Sequence, residues 1–169
     1  MSELKDTKVT LDQILSFDED GYYEELIQPM DFDVNIYGSY EEYRKGMDKL
    51  SKPKQYLFAV SWFIAEVWNG GITQFFANST GIVWKDALEG FQEMGLYHMK
   101  ENFQEILDKI GVEPKFDRTE RLNEFERLMP NIDDFYALDE ISDKLYDQDK
   151  DDSKIIIRYI KEHAADFVD

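Results

Sequence analysis

The stretch that decides the fold, here called the glycine block, is Glu66-Val67-Trp68-Asn69-Gly70-Gly71-Ile72-Thr73-Gln74-Phe75-Phe76-Ala77-Asn78-Ser79-Thr80-Gly81. Apolar residues occur on every side of the helix predicted over residues 55–68, which is typical of a helix buried at the centre of a protein. Gly70 and Gly71 then allow the chain to turn sharply before a second apolar segment, residues 72–77. The pattern predicts a central apolar helix that is broken at a Gly-Gly turn.

The polar residues of the glycine block indicate how the turn is held. Asn69, Gln74 and Asn78 are available to bond the free backbone groups at the two helix ends. Glu66 lies inside the apolar helix, where a carboxylate is either a general base or a group that braces the turn. We favour bracing, because the sequence offers no nucleophile or metal set beside it. The structural motif predicted from the block is Glu66, Asn69, Gly70, Gly71, Gln74, Asn78 and Gly81.

Helix signals continue on both sides of the block. Residues 39–42 form a capping box that opens a short helix. Gly95 and Gly111 are expected to end two later helices, and Ser153 to cap a C-terminal helix that runs to residue 167. Convincing strands are missing, although residues 31–37 are ambiguous. We therefore predict an all-α fold, a single-domain helical bundle of about seven to nine helices.

Acidic residues are both abundant and segregated. The chain carries 37 acidic and 19 basic residues, for a formal net charge of −18. Residues 1–50 have a net charge of −8, residues 51–100 of zero, and residues 131–152 of −7. A negative field of this size repels phosphates, so a basic partner is favoured over direct nucleic-acid binding. We predict an acidic N-terminal helical segment, residues 1–50, packed on a domain of residues 51–169.

Several classes of function find no support in the residues. Cysteine is absent, which removes thiolate nucleophiles and cysteine metal sites. The segment that begins at Asp147 resembles an EF-hand loop, but its sixth position is Asp152 where glycine is needed, and its twelfth is Arg158. We expect neither an enzyme nor a bound metal or cofactor. With no signal peptide and no apolar run near the ~20 residues of a membrane span, we expect a soluble, cytoplasmic protein.

Aromatic residues at helical spacing are interpreted as core and not as the lining of a ligand pocket. They are Trp62, Phe63, Trp68, Phe75, Phe76, Trp84 and Phe91. The two histidines, His98 and His163, have no spacing typical of metal ligands.

Acidic residues with helical spacing are the candidates for partner binding. Asp139, Asp143 and Asp147 recur every four residues, which places them on one row with ~6 Å between charges. One strand of duplex DNA carries a charge every ~3.4 Å, so neighbouring acids must add to this row. A second strand would come from the N-terminal block or a second subunit, whereas a solvated helix face is the alternative. The candidates are Asp133, Asp134, Asp139, Glu140, Asp143, Asp147, Asp149, Asp151, Asp152, Asp18, Glu19, Asp20, Glu24 and Glu25.

The glycine block resembles the signature of the bacterial DNA-mimic-protein domain family, long catalogued as a domain of unknown function. The family block has the form E-V-x-N-G-G-x-x-Q-Y/F-F-x-N-S/P-S/T-G. At two of its variable positions the sequence has Trp68 and Ile72, where asparagine and phenylalanine are expected. Residues 87–88 supply the alanine-leucine pair that follows, and residues 94–96 stand in place of an isoleucine-glycine-alanine break. The resemblance covers about residues 53–167. It implies an all-helical fold. The best-understood member of the family imitates duplex DNA with surface carboxylates and occupies the DNA-binding face of a transcription factor.

The acidic blocks and this resemblance together lead to a functional expectation. We expect an acidic inhibitor that presents surface carboxylates to a basic, DNA-binding partner, such as a transcription factor, nuclease or nucleoid protein. It would bind neither nucleic acid nor membrane and would act as a monomer or homodimer. Two alternatives stay open: an immunity-type antitoxin that binds one specific toxin, and a small-ligand-binding protein built around the glycine block.

Overall fold

The computed structural model describes residues 8–146 and 149–168, and within them the chain is helical with no strand. The all-α prediction is confirmed, with eight of the ten described α-helices seven residues or longer. The α-helices are α1 (Leu11–Leu15), α2 (Glu24–Asp33), α3 (Tyr40–Met47), α4 (Lys52–Ala77), α5 (Trp84–Met94), α6 (Tyr97–Ile110), α7 (Arg118–Leu128), α8 (Ile132–Tyr146), α9 (Asp149–Glu162) and α10 (Ala164–Phe167). A 3-10 helix, Ser79–Val83, joins α4 to α5.

Local signals place several of the helix ends where the sequence predicts them. The Ser39 side chain accepts a hydrogen bond from the backbone N–H of Glu42, whose carboxylate accepts the N–H of Ser39 in return. Gly95 and Gly111 follow α5 and α6 with φ of 86° and 81°, the left-handed conformation that ends helices. These turns depend on residues only a few positions apart.

The central helix α4 is broken at the predicted glycines. Gly71 has φ 77° and ψ 179°, a conformation that is essentially limited to glycine. The segments before and after this kink carry Phe63 and Phe75, whose rings meet edge to face with centroids 4.8 Å apart. Phe103 of α6 packs against both rings, with centroids 4.7 Å from Phe63 and 6.2 Å from Phe75. The kink therefore folds α4 around one aromatic core.

Residues 8–50 contribute to this core. Ile14, Met30, Tyr43 and Met47 are all buried in the same apolar cluster as α4. A polar contact adds to the packing, because the Tyr43 hydroxyl donates to the buried carboxylate of Asp86 on α5 at 2.7 Å.

Arg44, next to Tyr43, reaches the same carboxylate. Its guanidinium bonds both Asp86 oxygens at 2.9 and 3.0 Å and also pairs with Asp48. The contact with Asp86 joins α3 to α5. Desolvation would lower the pKa of Arg44, but the hydrogen bond to Asp48 and the charge of Asp86 together raise it above its ordinary value.

The C-terminal region differs from the sequence prediction in two ways. Helix α9 begins at Asp149, so Ser153 lies within the helix and does not cap it. The helix also does not run to residue 167, because the chain turns at His163 before α10. This turn lets Ala164 and Phe167 enter the core, a tertiary contact that helical periodicity does not contain.

Two of the aromatic residues predicted as core are not buried. Trp62 is half-buried and Trp68 is 48% exposed. Both lie on a face of α4 that the N-terminal segment covers only in part. No helix in the described ranges combines the length and apolarity needed to cross a membrane.

Candidate functional site

The carboxylate of Glu66 joins the two halves of the broken helix. Its Oε2 atom accepts hydrogen bonds from the side-chain amides of Gln74 at 2.9 Å and Asn78 at 3.0 Å. Both donors lie beyond the kink, and all three side chains are half-buried. Asn69, predicted to take part, is exposed and makes no side-chain hydrogen bond to the described residues.

Arg121 on α7 is a structural residue that the sequence analysis missed. Its side chain is fully buried. Four of its donor contacts go to backbone carbonyls, those of Phe76, Asn78, Lys115 and Phe116, at 2.7 to 2.9 Å. Burial lowers the pKa of this guanidinium to about 10, since desolvation disfavours its charge. Arg121 thus satisfies carbonyls at the C-terminal end of α4 that would otherwise be left without donors.

The Arg121 side chain also explains why residue 81 is a glycine. A Cβ atom at this position would lie 2.7 Å from the Arg121 guanidinium carbon. The last glycine of the block is therefore required by close approach and not by its backbone angle. No local pattern predicts this, because Arg121 lies 40 positions further along the chain.

Asp139 is turned towards the kink and is not part of an open acidic row. Its Oδ1 atom accepts a hydrogen bond from the hydroxyl of Thr73 at 2.9 Å and would lie 3.2 Å from a Cβ at Gly71. Asp139 is half-buried, whereas Asp143 is exposed. The predicted row of Asp139, Asp143 and Asp147 is thus reduced to Asp143, with Asp147 outside the described residues.

The exposed face of α8 carries a different arrangement, here called the α8 stripe. It consists of Asp133, Tyr136, Glu140 and Asp143, all exposed, at the spacing i, i+3, i+7, i+10 that places them on one face. The stripe spans ~15 Å along the helix axis. Three carboxylates over this length are sparser than the phosphates of one DNA strand, which recur every ~3.4 Å.

The N-terminal candidates are all at the surface. Asp18, Glu19, Asp20, Glu24 and Glu25 are exposed. The last two lie in the first turn of α2, where the helix dipole stabilises negative charge. Among the described residues, no salt bridge involves any of these five carboxylates or the three of the α8 stripe.

The remaining C-terminal candidates do not extend this surface as expected. Asp152 is only 3% exposed, and its Oδ1 atom lies 3.0 Å from Nε2 of His98 on α6. Its expected place on an open acidic surface is wrong, because the side chain is buried against α6. Asp134 is half-buried. The side chains of Asp149 and Asp151 lie outside the described residues.

A cleft lies beside the N-terminal acids. It has a volume of about 540 Å³ and lies between residues 20–31, the exposed side of α4 and the start of α9. Trp68 lines it, and the Trp68 ring also packs against Tyr146 at the end of α8, with centroids 6.5 Å apart. Tyr146 in turn donates its hydroxyl to the carbonyl of Val67. Trp68 therefore contacts the end of α8 and also lines the cleft that contains Asp20 and Glu24.

The comparisons with known proteins agree with the resemblance of the glycine block. Residues 48–163 match the family described as DMP19-like protein. No curated protein and no solved structure gives a significant match. The match covers more than half of the chain and includes the glycine block and all of α5 to α9. The chain belongs to the DMP19-like family, which is the family of DNA-mimic proteins.

Proposed function

We propose that this protein is a non-catalytic inhibitor that binds a basic, DNA-binding protein through exposed carboxylates, in the manner of a DNA mimic. The family supports a role of this kind, and the surface supplies the groups for it. A transcription factor, nuclease or nucleoid protein has a DNA-binding face of the complementary charge. The partner would be bound by the face that otherwise contacts phosphates.

The observation that carries the proposal is a set of eight exposed carboxylates without salt bridges to described residues. They are Asp18, Glu19, Asp20, Glu24, Glu25, Asp133, Glu140 and Asp143. A surface carboxylate that has no internal cation attracts the lysine and arginine side chains of a partner. Such complementarity mainly raises the association rate and fixes orientation, and it is strongly screened by salt.

The charge density of the surface requires both acidic regions. The α8 stripe alone is too sparse to imitate one strand of DNA. Asp20 and Glu24 line the cleft beside Trp68, and the Trp68 ring also packs against Tyr146 at the end of α8. A partner that spans this junction would meet carboxylates from both regions.

A catalytic role built on Glu66 is disfavoured by its contacts. A general base must offer a free oxygen within hydrogen-bond reach of the proton that it removes. The Oε2 atom of Glu66 already accepts two hydrogen bonds from Gln74 and Asn78. Using that oxygen as a base would break the contacts that connect the two halves of α4.

The test is affinity capture from a lysate of the source cell, with duplex DNA as competitor. We expect DNA-binding proteins to be recovered at low salt, to be displaced by duplex DNA, and to be released as salt rises. The variant Asp133→Asn/Glu140→Gln/Asp143→Asn should reduce their recovery at least tenfold. A matched control, Glu101→Gln/Glu113→Gln/Glu126→Gln, removes three exposed acids elsewhere and should retain recovery. Equal loss in both variants, or capture that survives molar salt, would contradict the proposal.

An immunity-type antitoxin is the second candidate, favoured by the exposed apolar residues on α8. Ile132 is 66% exposed and Tyr136 is 58% exposed beside the acids of the α8 stripe. Tyrosine is enriched among the residues that dominate specific protein interfaces. Affinity carried by such contacts would depend weakly on salt, so Tyr136→Ala would then weaken capture of a toxin more than the three acid substitutions do.

A further inference from the structure

The cleft beside Trp68, here called the aromatic cleft, has an unusual lining. Its walls include the rings of Tyr22, Tyr23, Trp62 and Trp68. Tyr22 is 87% exposed and Trp68 is 48% exposed, so solvent reaches their faces. The volume of about 540 Å³ falls within the range of protein clefts that hold a ligand group, roughly 300–1,000 Å³. Exposed aromatic faces gathered in one concave site are a binding feature that a solvated helix surface does not need.

The charges around the aromatic cleft have one sign. Four acids line it, Asp20, Glu24, Asp31 and Asp152, and among the residues that the structure describes no lysine, arginine or histidine does so. Asp152 is paired with His98, which leaves three carboxylates for a ligand. Asp20, Glu24 and Asp31 are exposed at the edge, and Asp31 accepts the indole N–H of Trp62 at 3.2 Å.

This charge is local and does not simply reflect the acidity of the whole chain. A second cleft, of about 680 Å³, lies along α9 and is lined by Lys154, Arg158 and Lys161 together with two glutamates. A protein that is acidic everywhere would not have one cleft lined by acids and another that contains three basic side chains. The aromatic cleft is thus complementary to a cation in both charge and ring content.

We infer that the aromatic cleft receives an arginine side chain from a basic partner. The inference rests on the proposed function and names the group that this site recognises. A guanidinium plane stacks on indole and phenol faces, and its fork of N–H donors can bond the carboxylates at the edge at the same time. A lysine ammonium can use the charge but not the planar stacking, so arginine is the preferred occupant.

The exposed acids and the aromatic cleft would make different contributions to partner binding. The exposed acids attract any basic face over a distance, with little discrimination between partners. A guanidinium seated between rings is partly desolvated, where its contacts are stronger and are less weakened by salt. Recognition of a particular basic protein would then depend on an arginine that projects far enough to enter.

The test uses the full chain and two blocked peptides, hexa-arginine and hexa-lysine, with binding measured by calorimetry. We expect hexa-arginine to bind more tightly. Tyr22→Leu and Trp68→Leu keep apolar bulk but remove the ring faces, and each should weaken hexa-arginine about tenfold while hexa-lysine changes less. Tyr37→Leu is the matched control, since Tyr37 is 79% exposed and does not line the cleft. Both test side chains are exposed, and thermal unfolding of each variant checks that the fold is retained.

Three outcomes would overturn the inference. The first is wild-type affinity for hexa-arginine in both ring variants, and the second is equal loss for the two peptides. The third is a wild-type dimer that Trp68→Leu converts to a monomer, because a second copy would then be the occupant. These results are separable from failure of the proposed function, which depends on competition by duplex DNA and on Asp133, Glu140 and Asp143.

Discussion

Two polar side chains, Glu66 and Arg121, both form hydrogen bonds with the C-terminal end of the broken helix α4. Glu66 accepts from the side-chain amides of Gln74 and Asn78, whereas Arg121 donates to the backbone carbonyls of Phe76 and Asn78. The end of α4 is therefore held by one anion and one cation without a direct ion pair between them. Removing either partner would leave polar groups unsatisfied in a half-buried site, which costs more than the net value of the bond.

At the residue scale, we expect Glu66→Gln to lower the free energy of unfolding by about 1 kcal/mol. The neutral amide accepts weaker hydrogen bonds from Gln74 and Asn78 than the carboxylate does. Urea denaturation measures the change, and Glu126→Gln, an exposed acid on α7, is the control that should stay within about 0.5 kcal/mol of wild type. If Glu66→Gln instead kept full stability and abolished partner capture, Glu66 would be a binding group and the bracing interpretation would fail.

At the scale of elements, the kink in α4 positions the rest of the molecule. Gly71 turns the chain so that the segment carrying Phe75 folds back towards Phe63. Helix α8 packs over this turn and contributes Asp139, which receives the Thr73 hydroxyl. The orientation of α8, and with it the direction of the α8 stripe, therefore depends on the conformation of one glycine.

The chain offers a matched pair of glycines to test this dependence. Gly71→Ala should cost about 3 kcal/mol of unfolding free energy, because its combination of φ and ψ is essentially limited to glycine and Asp139 lies 3.2 Å from the added Cβ. Gly111→Ala should cost about 1 kcal/mol, since it has an ordinary left-handed φ and nothing within 4 Å of the added atom. Equal losses by chemical denaturation would show that the kink imposes no special constraint.

At the scale of the whole molecule, charge is the dominant feature. A formal net charge of −18 on 169 residues opposes the compact state through self-repulsion. The described ion pairs are few, and neither the three carboxylates of the α8 stripe nor those of Asp18, Glu19, Asp20, Glu24 and Glu25 are among them. Surface carboxylates that are not neutralised lower the stability of the fold through this repulsion, so a basic partner would stabilise the protein when it binds.

We therefore expect the free protein to become more stable as sodium chloride is added. Screening of the repulsion should contribute about 1 kcal/mol, which for a chain of this length raises Tm by roughly 2–4 °C. Differential scanning calorimetry measures the shift. The variant Asp18→Asn/Glu19→Gln/Glu25→Gln removes three exposed charges and should show a smaller dependence on salt. A Tm that stays constant or falls would mean that self-repulsion does not limit stability.

The helical architecture could be predicted because its signals are local. The Ser39 capping box, the left-handed Gly95 and Gly111, and the break at Gly71 each depend on residues within one or two turns of the chain. The sequence failed where a local signal was weaker than a distant contact. Ser153 is a good capping residue, yet α9 begins before it, in the same helix where Asp152 contacts His98 of α6.

By itself, the sequence determined the helical class, the broken central helix and the separation of acids into two regions. Only the tertiary structure decided which of those acids are available. Asp152 is buried, Asp139 is bonded to Thr73 across 66 positions, and Trp68 is left exposed beside the N-terminal acids. The physical reason is that helix formation depends on neighbours along the chain, whereas exposure depends on which helices pack together. The charges could thus be counted from the sequence, but which of them lie at the surface could not be predicted from it.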